Sequence, residues 1–395
     1  MKIQKNLNLN FKDLKITELP ECDEVNLLLG TCSYDEACTK FKALQSLETG
    51  EELFPGFIST VTGEIKSVEK MTGITGELSV LKVHVNSEDK VHSSFKEHEN
   101  ISSKTRDELL SIINKSGFNF STESNINTIF IYAIDLEPLC SVNSQIFTES
   151  QDKLTEALTF IKKLYQANEI VLIVPKVLED KTKQKVLTNA KVIGLDGLYL
   201  KADPAMIISS FSDAASRSSH AFITFEKVLA AYNSVIKGQP YIYKVISLIT
   251  KNEKKNLKVR IGTPISKLLE NTELKDNDKV ILGGPMKGHT CYDLNYPVNS
   301  DIDMIYVQDA KDVYKYESNQ CINCGKCVNA CPVNLHVNLI GRFAEFSNFE
   351  TCDELGVNDC IECAYCSYKC PAKRSLLQLM QHAKRQIALN TNTEI

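Results

Sequence analysis

Two copies of one cysteine pattern near the C-terminus constrain this chain more than any other feature. The first run reads C-x2-C-x2-C-x3-C-P from Cys321 to Pro332, and the second repeats that spacing from Cys360 to Pro371. Three thiols on one short, turning segment, joined by a fourth from elsewhere, are what a [4Fe-4S] cluster needs as ligands. The pattern therefore predicts two [4Fe-4S] clusters and, through them, electron transfer.

The predicted ligands follow from the way that two-cluster ferredoxins share their cysteines. In those proteins the fourth cysteine of each run ligates the cluster of the other run. The predicted ligands of cluster 1 are therefore Cys321, Cys324, Cys327 and Cys370. The predicted ligands of cluster 2 are Cys360, Cys363, Cys366 and Cys331.

Zinc and disulfide bonds are the alternatives for these cysteines, and we favour neither. A structural zinc site usually joins two separated CxxC pairs, and neither run divides in that way. Disulfide frameworks belong to short secreted chains, whereas this chain has 395 residues and is 43% hydrophobic.

Composition narrows the setting and the partners. No apolar run follows the N-terminal residues, and no stretch approaches the roughly 18 apolar residues of a membrane span. We therefore expect a cytoplasmic chain that is soluble or peripheral on the inner face of the membrane. The net charge is −5, with basic residues scattered among acidic ones, which argues against nucleic acid as a partner.

The first 237 residues predict two domains. Residues 1–95 carry short strands broken by turns, with strands within Gly56–Lys70 and at Glu77–Val85 and a turn at Thr62-Gly63, and predict a small β domain. Residues 96–237 alternate helices and strands, as in a three-layer α/β domain. Its predicted helices lie at 105–113, with a Thr105 capping box, at 153–167 and at 224–236, and its buried strands at 127–134 and 169–175.

Two further domains are predicted after residue 237. Residues 238–300 read as strand, turn, strand and helix, the helix having Pro264 in its first turn. Residues 280–288 then read as a strand followed by a Gly-Gly-Pro turn. We interpret this turn as structural rather than as a phosphate cradle. Residues 301–395 form the cysteine-bearing helical domain.

Apolar residues recur at helical spacing in two segments, the interval between the two cysteine runs and the C-terminal segment. The aromatic residues of the interval are expected to shield the clusters and form core, and the apolar set is Leu335, Val337, Leu339, Ile340, Phe343, Phe346 and Phe349. An amphipathic helix is predicted at 374–389. Its basic residues form a solvated face or meet an acidic ferredoxin-type partner, and they are Lys373, Arg374, Lys384 and Arg385.

The three cysteines of the first predicted domain show no known metal-binding spacing. Cys22, Cys32 and Cys38 are expected to be buried or incidental thiols, with a redox-active pair at Cys32 and Cys38 as the alternative. Cys140 is expected to be inert, with a redox relay as its alternative, and Cys352 is not expected to be a ligand.

Several segments, in this order, resemble the RnfC family, the peripheral cluster-bearing subunits of Rnf-type electron-transport complexes. They are AFITFEKVLAAYNSVIKGQPYIYKVISL, RIGTP, GGPMKG, CINCGKCVNACP and CIECAYCSYKCPAKRSLLQ. The resemblance covers nearly the whole chain. It implies a barrel-sandwich domain, an α/β domain like the 51-kDa subunit of complex I, a β-grasp (SLBB) domain and a helical dicluster ferredoxin domain. The family includes a proline-reductase-associated electron carrier, a cobalamin reductase and a quinone-binding relative.

The sequence departs from the family where members that oxidise NADH bind FMN. Those members carry a loop similar to GLGGAGFPT, whose glycines let backbone approach the flavin and phosphates; here residues 114–125 keep only Ser116-Gly117. The next strand usually ends in Glu-Cys-Glu-Pro with an Asp soon after, but here it ends in Asp135-Leu136-Glu137-Pro138, and Asn143 replaces the expected acid. We therefore expect neither FMN nor NAD to bind.

The leading hypothesis is an electron-transfer subunit without catalytic residues of its own. It would relay electrons through both clusters to or from a ferredoxin, a flavoprotein or membrane subunits of an Rnf-type complex, with the degenerate α/β domain as scaffold. A reassigned pocket, for quinone or for another flavoprotein's surface, is the alternative for that domain. Two other functions remain: an NADH-oxidising, FMN-containing subunit, and a redox-sensing assembly protein.

Overall fold

The computed structural model describes most of the chain. The described residues are 15–30, 32–42, 44–73, 76–97, 101, 103–118, 126–186, 189–196, 199–211, 220–313 and 319–393. The strands are β1 (Ile16–Glu18), β2 (Glu24–Leu28), β3 (Ser46–Leu47), β4 (Glu52–Phe54), β5 (Phe57–Ile58), β6 (Gly63–Thr72), β7 (Glu77–Val85), β8 (Thr128–Tyr132), β9 (Glu169–Pro175), β10 (Lys191–Leu195), β11 (His220–Thr224), β12 (Tyr243–Ile249), β13 (Lys254–Arg260), β14 (Lys279–Leu282), β15 (His289–Thr290) and β16 (Met304–Gln308). The helices are α1 (Tyr34–Phe41), α2 (Arg106–Lys115), α3 (Val142–Glu149), α4 (Leu154–Tyr165), α5 (Glu179–Val186), α6 (Pro204–Phe211), α7 (Phe225–Lys237), α8 (Ile265–Leu268), α9 (Lys326–Asn329), α10 (Val337–Glu345), α11 (Phe349–Glu354), α12 (Tyr365–Lys369) and α13 (Leu376–Thr393).

An antiparallel sheet in the order β2-β7-β6-β3 forms the N-terminal part of the protein, beside the β4-β5 hairpin. The strand predicted at Glu77–Val85 is confirmed as β7. The turn predicted at Thr62-Gly63 is wrong, because Gly63 already opens β6. A Cβ on Gly63 would lie 2.1 Å from the carbonyl oxygen of His84, so the close approach of two strands, rather than a turn, requires the glycine.

A parallel sheet in the order β10-β9-β8-β11 forms the predicted α/β part. Helices α2, α3, α4 and α7 form one apolar core with Ile129 and Ile131 of β8. Phe130 and Tyr132 belong to a second core that includes Ile207 of α6, so both faces of β8 are covered and all five of its residues are buried. The strand predicted at 169–175 is confirmed, and that predicted at 127–134 is confined to Thr128–Tyr132. The Thr105 capping box is confirmed, since the Thr105 hydroxyl accepts from the Glu108 N–H and the Glu108 carboxylate accepts from the Thr105 N–H.

A six-stranded sheet in the order β1-β13-β12-β16-β14-β15 follows. The predicted strand, turn and strand are confirmed, since Tyr243 pairs with Arg260 and Ile249 with Lys254 in the antiparallel β12-β13 hairpin. The predicted helix is only four residues long, and Pro264 is its N-cap rather than part of its first turn.

Sheet membership differs from the predicted domain boundaries at residues 95 and 300. Strand β1 pairs with β13 and strand β16 pairs with β12, although the sequence places β1 in the first domain and β16 in the last. Both flanks of the hairpin need these partners, because its backbone N–H and C=O groups would otherwise be buried without hydrogen bonds.

An ion triad, in which Lys244 and Glu226 are buried and Asp303 is partly exposed, joins the α/β part to the six-stranded sheet. The Lys244 Nζ lies 3.0 Å from a Glu226 carboxylate oxygen and 2.7 Å from an Asp303 carboxylate oxygen, and the Lys244 side chain is 1% exposed. Burial opposes the charge on Lys244, but the two carboxylates raise its pKa well above the ordinary value. Removal of the lysine or of its carboxylate partners would leave a buried charge without compensation. The triad therefore favours one arrangement of α7, β12 and the segment before β16.

Short helices form the C-terminal part, with a core that contains the buried side chain of Cys352. The predicted helical interval contains α10 and α11, and the terminal helix is α13. The expectation that every aromatic residue of the interval is core is wrong for Phe346, which is 78% exposed at the end of α10. None of the helices in the described part of the chain is both long and apolar enough to span a bilayer.

Candidate iron-sulfur centres

The two cysteine runs have the same backbone conformation. Each run turns through its first two cysteines and, after a left-handed residue, enters a short helix, α9 or α12, that contains the third cysteine. Left-handed φ angles cost energy for residues other than glycine, so they persist only where the surroundings hold them. They recur at the third, fifth and fourteenth positions of each run: Asn323, Gly325 and Asn334 in the first, Glu362, Ala364 and Lys373 in the second.

One cavity contains the first three cysteines of the first run together with the last cysteine of the second. Cys321, Cys324, Cys327 and Cys370 all line it. Burial raises the pKa of the Cys327 thiol, and the nearby Cys370 and Cys321 thiols raise it further. The structure therefore groups the four cysteines that the crossed assignment gives to cluster 1.

The other four cysteines show the reciprocal grouping. Burial raises the pKa values of Cys360 and Cys363, and the Cys331 thiol is close enough to raise both further. Burial, followed by the Cys363 and Cys360 thiols, raises the pKa of Cys366 to about 12. These thiols hold their protons until a metal replaces them, because a coordinating thiol is deprotonated.

The side chains around the first cavity fit an iron-sulfur cluster. Its lining contains four cysteines and no carboxylate or imidazole, which is the soft, all-thiolate donor set that such clusters take. Within the described residues, no three His, Cys, Asp or Glu side chains are placed to hold a single metal ion. A [4Fe-4S] cluster spreads its four cysteines over four irons, so its ligands need not converge on one point.

The two groups of cysteines differ in their exposure. Cys324 of the first group is exposed, and the neighbouring Ile322 is 66% exposed. Cys363 and Cys366 of the second group are buried. The first group therefore opens towards solvent, whereas the second faces the interior of the protein.

Two basic residues that were predicted to face solvent or a partner are used inside the protein. Arg374 is buried, forms an ion pair with Glu345 and lies close enough to the Cys321 thiol to interact with it. The Lys384 Nζ donates to the Cys360 carbonyl oxygen at 2.6 Å and to the Glu362 carboxylate at 2.9 Å. The surface role predicted for these two residues is wrong, because the cysteine loops fold against the start of α13 and take up its positive charges.

The α/β part contacts the second group of cysteines through residues that no sequence motif marks. The Tyr199 hydroxyl donates to the Cys363 carbonyl oxygen at 2.9 Å. The Lys287 Nζ lies 3.1 Å from an Asp203 carboxylate oxygen and is close enough to Cys363 to oppose the rise of its pKa. These contacts dock the second cysteine loop onto the α/β part and the Gly-Gly-Pro turn.

The Gly-Gly-Pro turn is structural, as predicted. The Glu137 carboxylate accepts hydrogen bonds from the Met286 N–H at 3.0 Å and the Lys287 N–H at 2.9 Å. Gly284 has a φ of +117°, and a Cβ there would lie 2.6 Å from a Glu137 carboxylate oxygen. The glycine is required because the turn passes directly against this carboxylate.

Comparison with known proteins agrees with the cysteine pattern. The family model of the 4Fe-4S dicluster domain matches residues 313–371. The RnfC protein of the ion-translocating oxidoreductase complex of Methanosarcina acetivorans is 36% identical over 169 residues, which cover 42% of this chain and 38% of that protein. The corresponding protein of Pasteurella multocida is 26% identical over 291 residues, covering 68% of this chain and 34% of that protein. These matches support the assignment of the chain to the RnfC family.

The sequence resemblance to RnfC is thereby confirmed, although this chain spans only about a third of the length of those two relatives, at 38% and 34%. The NAD+-reducing [NiFe]-hydrogenase in its H2-reduced state is 12% identical, with a TM-score of 0.44 over 67% of this chain and 52% of that chain. The structure and the family model together show a multidomain, mixed α/β chain with a dicluster domain. The names given to the other domains remain predictions.

Several residues that were predicted to mark an altered flavin site form contacts within the protein. Residues 119–125 of the loop lie outside the described residues. Gly117 has a φ of +83°, and a Cβ there would lie 2.9 Å from the Ile58 side chain. The Asp135 carboxylate accepts from the Asn143 N–H at 2.8 Å and from the Ser144 hydroxyl at 2.8 Å. Asp135 thus caps the start of α3.

The cysteines outside the runs have few features of reactive thiols. Cys140 is 5% exposed, and burial, followed by the charges of Asp135 and Asp303, raises its pKa well above the ordinary value. This agrees with an inert thiol, since reactivity requires the thiolate. Burial also raises the pKa values of Cys22 and Cys32, and the redox pair at Cys32 and Cys38 stays a prediction.

Paired cysteine substitutions test the crossed grouping. Cys321→Ala with Cys370→Ala removes two ligands of one predicted cluster, and we expect about four irons per chain to remain. Cys321→Ala with Cys331→Ala removes one ligand from each cluster, and we expect both to be lost. Iron and sulfide analysis after anaerobic purification measures this, with Cys352→Ala as the control that keeps all the iron. The reverse result for the two pairs would show that the ligands are not crossed.

Glu137 gives a prediction about pH. Burial, opposed by its two N–H donors, raises the pKa of Glu137 from 4.5 to about 7 in the folded protein. The folded state therefore binds this proton more tightly than the unfolded chain does. The contribution of the proton to the free energy of unfolding is complete below pH 4.5 and is lost as the pH rises towards 7. The loss is about 3 kcal/mol.

Glu137→Gln keeps an oxygen that can accept a hydrogen bond but does not titrate in this range. We expect the urea midpoint of the native protein to fall relative to that of Glu137→Gln between pH 5 and pH 8, measured anaerobically. Glu64→Gln, at an exposed position, is the control. Parallel pH curves for the native protein and Glu137→Gln would contradict the raised pKa.

Proposed function

We propose that this chain is the iron-sulfur electron-transfer subunit of an ion-translocating, Rnf-type oxidoreductase complex. It would hold one [4Fe-4S] cluster on Cys321, Cys324, Cys327 and Cys370, and another on Cys360, Cys363, Cys366 and Cys331. Bound clusters of this type exchange single electrons. The observation that carries the proposal is the position of Cys370, which completes a four-thiol cavity with the first run.

The protein's own part in this function is to hold the thiols and control their surroundings. The repeated left-handed residues turn each loop around its three cysteines. The second group lies under the α/β part, tied there by the Tyr199 hydroxyl. The first group has an exposed thiol at Cys324 and an exposed apolar neighbour at Ile322. A partner redox centre can therefore come closest to the first group.

The α/β part serves, in this proposal, as a scaffold that binds neither FMN nor NAD. Two carboxylates lie beside the strand that leads into the flavin site in the family. Here both accept hydrogen bonds from backbone N–H groups, Asp135 at the start of α3 and Glu137 at the Gly-Gly-Pro turn. The glycine that survives from the loop packs against Ile58.

The proposed partners are a ferredoxin, a flavoprotein or the membrane subunits of the same complex. The two relatives above are named as subunits of ion-translocating oxidoreductase complexes, which supports a membrane complex as the setting. We propose that the chain attaches to the cytoplasmic face of the membrane through those subunits.

Anaerobic purification with iron, sulfide and flavin analysis tests this function. We expect about eight irons and eight sulfides per chain, no flavin, and no bleaching of the visible spectrum by NADH. Bleaching by a reduced ferredoxin or flavodoxin should occur instead. Stoichiometric FMN with bleaching by NADH would replace the proposal with the NADH-oxidising subunit, and absence of iron would remove it altogether.

A further inference from the structure

We infer that Arg374 raises the reduction potential of the cluster held by Cys321, Cys324, Cys327 and Cys370. This inference rests on the proposed function and adds a residue that controls the energy of one centre. It comes from a positive side chain that lies inside the cysteine cavity and not on the surface of the terminal helix.

The position of Arg374 is well defined. Its side chain is 6% exposed and pairs with Glu345, which ends α10. Arg374 lines the same cavity as the four cysteines, and its guanidinium lies close enough to the Cys321 thiol to interact with it. The guanidinium is therefore held between a carboxylate on the outer side and a ligand sulfur on the inner side.

A guanidinium in this position favours the reduced form of the cluster. Reduction adds a negative charge to the cluster and its thiolates, and hydrogen bonds and net charge around the sulfurs set the potential. Arginine keeps its charge at every relevant pH, and in a partly buried site its interaction with a thiolate is stronger than in water. The Glu345 side chain is 44% exposed, so water screens its charge more than it screens that of Arg374.

The positive side chains near the second group of cysteines, Lys384 and Lys287, are bound to other partners among the described residues. Arg374 stands four residues after Cys370, and the corresponding residue of the first run is Leu335, whose backbone N–H lies 3.4 Å from the Cys331 Sγ. Lys384 contacts the Cys360 carbonyl and Glu362 rather than a sulfur. Lys287 is paired with Asp203. The effect of Arg374 should therefore be specific to one cluster.

An anaerobic redox titration of the full chain, followed by electron paramagnetic resonance, tests this role. We expect Arg374→Gln to lower one of the two cluster potentials and leave the other in place. The expected change is about tenfold in the one-electron reduction equilibrium, or about 59 mV. Glu345→Gln removes the compensating carboxylate and should raise that same potential. Arg385→Gln, at an exposed position on α13, is the control and should change neither.

The opposite signs for Arg374→Gln and Glu345→Gln separate an electrostatic role from a structural one. Unchanged potentials in both variants, or shifts of the same sign, would overturn the inference while leaving the proposed function intact. If Arg374→Gln loses iron, the sign of the shift in Glu345→Gln decides the question. If the native protein holds no clusters, the proposed function itself fails.

Discussion

The exchange of one cysteine between the two runs is the constraint on which the C-terminal part depends. Cys331 follows α9 and Cys370 follows α12, yet each lies with the thiols of the other run. In the proposed crossed ligation neither run completes its own set of four, so the loops must pack side by side. Helices α10 and α11 then return the chain from the first loop to the second, and their apolar residues form one core with α13.

Charged residues that usually face water hold the parts of this protein together. Lys244, Glu226 and Asp303 meet between the α/β part and the six-stranded sheet. Glu137 reaches from the end of the parallel sheet to the Gly-Gly-Pro turn, and Arg374 lies against the first group of cysteines. Partnered charges of this kind contribute mainly to which surfaces fit together, since burying them is costly unless every partner is present.

Features encoded over short stretches were predictable from the sequence. The two cysteine runs, the Thr105 capping box and the buried strand at 169–175 depend on residues a few positions apart. Strand pairing between segments that are distant in sequence was not predictable, so the predicted domain boundaries separate β1 and β16 from the sheet to which both strands belong.

Side-chain positions at the candidate centres were less predictable than the cysteines themselves. An amphipathic pattern shows which face of α13 is polar, but not that a cysteine loop covers Arg374 and Lys384. Tyr199 lies outside every motif, and only its hydrogen bond to the Cys363 carbonyl marks it. Gly63 was interpreted as a turn because a glycine required by close strand contact looks the same in sequence as one required by a positive φ.

Anomalous diffraction at the iron edge, from crystals grown without oxygen, tests the crossed arrangement most directly. Crossed ligation predicts two four-iron peaks, one bonded to Cys370 with three cysteines of the first run and one bonded to Cys331 with three cysteines of the second. A single cluster, or two clusters each bonded to the four cysteines of one run, would contradict it.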